Sequence, residues 1–236
     1  MSASGKELIE SGRTALGIEF GSTRIKAVLI GPDHEVLASG GHSWENQLVD
    51  GLWSYSLASV REGLQDAYAS LVAKVKEQYG VVPTTYGALG VSAMMHGYLA
   101  FDANGEQLAP FRTWRNTNTG RAAEELIGAF DFNIPLRWSI AHLHQAVIDE
   151  ETHVPSIASI NTLAGWVHEQ LTGRRVLGVG DASGMFPIDS TTGTYDAAKI
   201  AAYDALVAER SLPWSLIDLL PEVLPAGAEA GALTEA

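Results

Sequence analysis

The sequence predicts an α/β fold, a mixed central sheet with helices on both faces. Three observations carry this expectation. Residues 14–40 hold three short apolar runs separated by turn residues, the pattern of a β-meander. From residue 57 onward, stretches with apolar residues at helical spacing alternate with short strand-like runs. Among the latter, YGALGVSAM (residues 86–94) consists of small and apolar residues suited to a strand buried on both faces.

Taken in order, residues 1–13 read as a flexible leader. The strands of the meander are ALGI, IKAVLI and EVLASG, the last two joined by a PDH turn. Residues 43–55 form a loop rich in Trp and Tyr. LASVREGLQDAYASLVAKVKEQYG, residues 57–80, repeats Leu and Val at helical spacing and closes on Gly80, a C-terminal cap. YLAFDANGEQLAP, residues 98–110, reads as a hairpin around a DANG turn. Helices follow at 120–130, 138–151 and 162–173. Residues 176–189 read as strand, turn, strand, and residues 196–210 as a further helix. The main domain spans residues 14–220, and residues 221–236 begin a linker.

Composition narrows the function classes. With 28 acidic and 15 basic residues the formal net charge is −13, which argues against nucleic acid and anionic membrane surfaces as partners. There is no cysteine, so disulfides, thiolate catalysis and cysteine-zinc sites are excluded. MSASGKELIESGRT lacks an apolar core of signal-peptide length, and no stretch approaches the ~18 apolar residues of a membrane span. The expected location is the cytoplasm.

Four stretches bear chemistry. In Glu19-Phe-Gly-Ser-Thr-Arg-Ile-Lys26, a tight turn at Gly21, Ser22 and Thr23 would face an anion with backbone amides and hydroxyls, with Lys26 as a cation and Glu19 as a metal-holding acid. The same residues also fit a plain polar turn, and they form neither a Walker loop nor a dinucleotide fingerprint. Gly90-Val-Ser-Ala-Met-Met-His-Gly97 ends a strand on Met95 and His96, where α/β sheets usually bind ligands, although a solvated histidine fits as well. Trp114, Arg115 and Asn116 offer an aromatic face beside polar groups, a combination that suits a sugar or simply a surface loop. Asp181, in the turn GDASG, suits a general base or a turn-capping aspartate. His142 and His144 lie two apart on an expected helix and therefore on different faces, which disfavours a shared metal.

The order and spacing of these stretches resemble the N-terminal domain of the FGGY carbohydrate kinases, closest to the xylulokinase branch. The resemblance runs from Leu16 to about residue 234. It implies a ribonuclease-H-like (actin-like ATPase) domain. It also implies ATP-dependent phosphorylation of a sugar hydroxyl, with a ketopentose such as xylulose as the substrate type and with ATP and Mg2+ as cofactors. The family hairpin reads D-x-G-T-T-S-x-K. Glu19 takes the acid position on the metal, while Gly21, Ser22, Thr23 and Lys26 take the phosphate-binding positions. Met95 and His96 match the sugar-contacting M-H-G, with Met94 replacing the usual glutamine. Trp114, Arg115 and Asn116 stand where the family has W-N-D, and Asp181 falls on its catalytic base. Glu for Asp at position 19 lengthens the arm toward the metal.

Because family members are about twice as long, the resemblance further implies that this chain is an N-terminal half. Its own C-terminal nucleotide-binding domain would be its partner, and the 236-residue chain alone would be inactive. A homodimer is compatible with the resemblance. The competing expectation is a non-catalytic sugar- or nucleotide-sensing domain of the same fold.

Overall fold

The structure, a computed structural model, describes residues 4–235. It divides into two compact units. One holds the residues up to Asn46 together with Tyr55–Met94, and the other holds Gln47–Ser54 together with the residues from Met95 on.

In chain order the N-terminal half forms helix α1 (Gly5–Glu10), strands β1 (Ala15–Phe20), β2 (Arg24–Ile30) and β3 (Val36–Ser43), the short hairpin β4 (Gln47–Val49) and β5 (Leu52–Ser54), helix α2 (Leu57–Tyr79) and strand β6 (Ala88–Ala93). The first unit is a four-stranded mixed sheet of order β3-β2-β1-β6, antiparallel except where β6 runs parallel to β1. The alternation of the strands directs Leu16, Ile18, Phe20, Ile25, Ala27 and Leu29 to one buried face. Helix α2 covers that face with Val60, Ala67, Leu71 and Val75. At Gly40 a Cβ would lie 2.0 Å from the Ala67 carbonyl oxygen, so only glycine lets β3 approach the helix this closely. Ser56 caps the start of α2 and Gly80 its end, the latter at φ 71°, as its position in the sequence predicts.

Two expectations for this unit need correction. The leader is helical over its described part. Ser4 and Glu7 form a reciprocal capping box, and Leu8 and Ile9 are buried. Residues 1–3 of that leader lie outside the described residues. Strand β6 is a sheet edge rather than a strand buried on both faces. Ala88, Gly90 and Ser92 are exposed, with Leu89, Val91 and Ala93 half-buried between them.

The second unit continues with β7 (Leu99–Phe101), helices α3 (Gly120–Phe130) and α4 (Ser139–Ile148), β8 (Ser159–Asn161), α5 (Leu163–Thr172), β9 (Val176–Gly178), the single turn α6 (Val179–Ala182), β10 (Ile188–Asp189), β11 (Thr194–Tyr195), α7 (Ala197–Leu206), α8 (Leu216–Leu219) and β12 (Glu222–Leu224). Its core gathers Tyr98, Leu126, Ile140, Leu143, Ile160, Phe186, Tyr203 and Leu216. His142 and His144 both go into this core on α4.

Several local expectations shift here. The 98–110 segment turns at Asp102–Gly105 and closes as expected through the antiparallel Phe101↔Gln107 bridge, while β7 takes β8 as its ladder partner on the other side. Residues 47–54, expected as loop, pair as a hairpin. The Asp181 turn is one turn of helix. The expected linker is part of the unit: β12 pairs parallel with β9, and Thr234 donates its amide to the Leu171 carbonyl. Apolar Val223 packs against the core, which gives this low-complexity tail a place to bind.

Candidate functional site

In the first unit, β1 and β2 pair without a slip from Ala15↔Ile30 to Phe20↔Ile25, which leaves Gly21, Ser22 and Thr23 at the bend. All three carbonyl oxygens of that bend are held from one side. Trp44 Nε1 donates to Gly21 O at 2.7 Å, Tyr55 Oη to Ser22 O at 2.6 Å, and the Trp44 amide to Thr23 O at 3.2 Å. Trp44 and Tyr55 are buried and stack with their centroids 4.2 Å apart. With its carbonyls fixed inward, the bend keeps the Ser22 and Thr23 side chains exposed. The Gly21 amide is spent on the Arg24 carbonyl at 3.0 Å, so what this turn can offer an anion is the exposed pair of Ser22 and Thr23. Beside it Glu19 and Lys26 face each other across the strands and form an ion pair at 2.9 Å, each side chain about half exposed. Trp44 and Tyr55 were legible only as members of an aromatic-rich loop; nothing in their spacing points to the bend.

The second unit places Met95, His96 and Asp181 near one another. His96 adopts a left-handed backbone, φ 70°, which is strained for a residue with a Cβ. The adjoining chain is held firmly: Ser139 Oγ donates to Gly97 O, and buried Tyr98 pairs with Arg112 through both backbone bonds. His96 Nδ1 lies 3.4 Å from Gly184 O. A Cβ at Gly184 would sit 2.7 Å from that same nitrogen, so the glycine makes room for the imidazole. Burial pushes the His96 pKa down. The contact with Gly184 and the Asp181 charge oppose this, while Arg137 adds to it. Met95 is 44% exposed next to this pair.

Asp181 lies on α6, half-buried, with Thr162 Oγ1 donating to its Oδ2 at 2.6 Å. Burial pushes its carboxyl above the usual carboxylate range, and the Thr162 bond and His96 pull it back. A partly desolvated carboxylate that is hydrogen-bonded on one oxygen has the makings of a general base. Thr162 carried no signal of its own in the sequence beyond standing just before a helix.

The Trp114-Arg115-Asn116 stretch divides into separate roles. Trp114 is 42% exposed. The Arg115 guanidinium lies 3.9 Å over the Trp53 ring. Asn116 is only 4% exposed and its amide is committed. Oδ1 accepts from Trp53 N at 2.8 Å, while Nδ2 donates to Trp53 O at 2.9 Å and to Thr113 O at 3.1 Å. Asn116 therefore ties the β4–β5 hairpin to this loop with no amide hydrogen to spare. His142 has neither ring nitrogen bonded, and His144 Nε2 lies 3.1 Å from Glu125 Oε2. Among the described residues no group of three or more His, Asp or Glu side chains is placed to hold a metal.

These arrangements sit on a chain whose residues 14–236 match the FGGY family of carbohydrate kinases, N-terminal domain. The chain belongs to that family. Its likeness to solved structures agrees. A xyloylose kinase from Brucella ovis superposes with a TM-score of 0.78 at 18% identity, covering 94% of this chain and 44% of that one. A xylulose kinase from Rhodospirillum rubrum gives 0.78 at 20%, with 94% and 46% covered. A Plasmodium falciparum glycerol kinase with ADP gives 0.73 at 14%, with 94% and 45% covered. At these identities the likeness shows the fold, the mixed α/β domain of FGGY kinases with its actin-like architecture. The chain spans somewhat under half the length of these FGGY proteins. No curated protein matches the chain at a significant level. Among the described residues no helix is long and apolar enough to cross a membrane.

Proposed function

We propose that this chain supplies the sugar-binding and catalytic-base half of a kinase that transfers the γ-phosphoryl group of ATP to a sugar hydroxyl, with a ketopentose such as xylulose as the substrate type. The observation that carries this reading is Asp181, half-buried, held on one oxygen by Thr162 and near a strained His96, in a chain of the FGGY family.

Asp181 accepts the proton of the attacking hydroxyl. The hydroxyl oxygen bonds to phosphorus as the bond to the ADP oxygen breaks. The transition state is loose, so the residues act mainly by positioning and by charge neutralisation. His96, Met95 and the exposed face of Trp114 orient the sugar. Arg115 and Asn116 act behind them by fixing the loop that carries Trp114, a role that fits their bonds to Trp53. Ser22, Thr23 and the Gly21 bend bind phosphate oxygens, and Lys26 adds positive charge.

Mg2+ in kinases is held mostly by phosphates and waters with one or two carboxylates. Glu19 offers one, half exposed beside the bend, so the residues present fit that ion through Glu19. When bound, it neutralises charge on the transferred group. The rest of the nucleotide site belongs to a C-terminal domain, so the 236-residue chain alone turns over little.

A coupled ADP-release assay of the full-length gene product across pentuloses, hexuloses and polyols tests the reading. Sugar-stimulated release with a ketopentose preference supports it. Saturable sugar binding without release points to a sensor, and neither response contradicts both.

A further inference from the structure

We propose that Thr162 is a positioning residue for Asp181: its hydroxyl fixes Oδ2 as a permanent acceptor and leaves Oδ1 as the oxygen that takes the substrate proton. The inference rests on reading Asp181 as the base.

A threonine hydroxyl has one hydrogen to give and lone pairs to accept with. Thr162 is the N-cap of α5, and its Oγ1 accepts the Gly165 amide at 3.1 Å. That bond uses the acceptor side of the hydroxyl, and the single hydrogen goes to Asp181 Oδ2 at 2.6 Å. The length matches an O–H donor facing an ionised carboxylate. Oδ2 therefore accepts from Thr162, and a proton arriving at the carboxyl goes to Oδ1.

The threonine itself has little freedom. It is 0% exposed, and its own amide donates to Asn161 Oδ1 at 3.0 Å. Asn161 in turn donates through Nδ2 to Glu169 Oε2 at 3.2 Å, about two helix turns along α5. A chain of bonds thus runs from the first turn of a ten-residue helix through one hydroxyl to the base. Removing the hydroxyl frees the carboxyl to rotate and withdraws a bond that favours its charged form, so Asp181 should titrate higher.

The test is a carbon-13 titration of the Asp181 side-chain carboxyl by NMR in the 236-residue chain, comparing Thr162→Val and Thr162→Ser with wild type. The inference expects the valine variant to titrate at clearly higher pH and the serine variant to overlay wild type. Thr162→Cys stands in if the valine variant unfolds, since a thiol fills the space and donates only weakly; it should also titrate above wild type. A dispersed amide spectrum with the valine or cysteine variant titrating with wild type would overturn the inference. In the full-length protein Thr162→Val should lose about tenfold in kcat with little change in KM, and Thr162→Ser should restore it. The titration does not depend on kinase activity. A shifted titration together with an Asp181→Asn protein that still turns over would remove the proposed function and leave the Thr162–Asp181 coupling standing.

Discussion

Lys26 Nζ lies 2.9 Å from Glu19 Oε2, joining two residues that face each other across β1 and β2. The acid and the cation that the sequence assigns to the metal and to phosphate are thus partners of one another. Both side chains are about half exposed, so the pair adds under about 1 kcal/mol to stability. Lys26→Met should therefore leave urea unfolding nearly unchanged. A loss above ~2 kcal/mol would make the pair a structural element rather than a charge reserve beside the bend.

His96 holds a backbone conformation that costs a residue with a Cβ about 1–2 kcal/mol. His96→Gly should keep or raise the melting temperature, whereas His96→Val, β-branched at the same φ, should lower it. Thermal unfolding of the two variants checks this. A glycine variant that melts well below wild type would mean that the imidazole contact with Gly184 outweighs the strain.

Asn116 is a buried staple. Asn116→Ala strands the Trp53 amide and takes one of two donors from each of the Trp53 and Thr113 carbonyls, which keep the Thr113 and Asn116 backbone amides, and should cost roughly 1–3 kcal/mol in denaturant unfolding. A variant within ~0.5 kcal/mol of wild type would show that the hairpin does not depend on it.

Acid should destabilise the second unit through His142. Burial pushes this histidine down to about 3 from 6.5, with the Arg112 charge adding to the effect. The folded chain keeps it neutral while the unfolded chain takes up a proton below about pH 6.5. Its contribution is present above that pH and is lost as the pH falls toward 3. Asp181, raised by burial, acts in the opposite sense as the pH climbs above its unfolded value of 3.8. Urea unfolding of wild type between pH 7 and 4 should show stability falling with pH, and His142→Phe should flatten the curve. An unchanged slope in the phenylalanine variant would mean that other groups carry the acid sensitivity.

What the sequence revealed follows from how local each signal is. Helix α2, its Gly80 cap, and the β1–β2 meander all rest on periodicity and capping within a few residues, and the structure contains them. The family resemblance rests on short motifs in fixed order, and it too holds. The capping box at Ser4 and Glu7 is equally local, but only the short apolar pair Leu8 and Ile9 follows it, too little to set this segment apart from a flexible leader. Non-local partners left no such trace. Nothing at Thr162 announces Asp181, nineteen positions along the chain. Nothing at Asn116 announces Trp53, sixty-three positions back. Strand β12 depends on a parallel partner, β9, whose pairing no local pattern encodes.

The measurement that bears most directly on the account is the turnover of Asp181→Asn in the full-length protein with the best sugar found. The account predicts at least a ~10²-fold drop in sugar-stimulated ADP release with sugar binding retained. Turnover within a few-fold of wild type would contradict it.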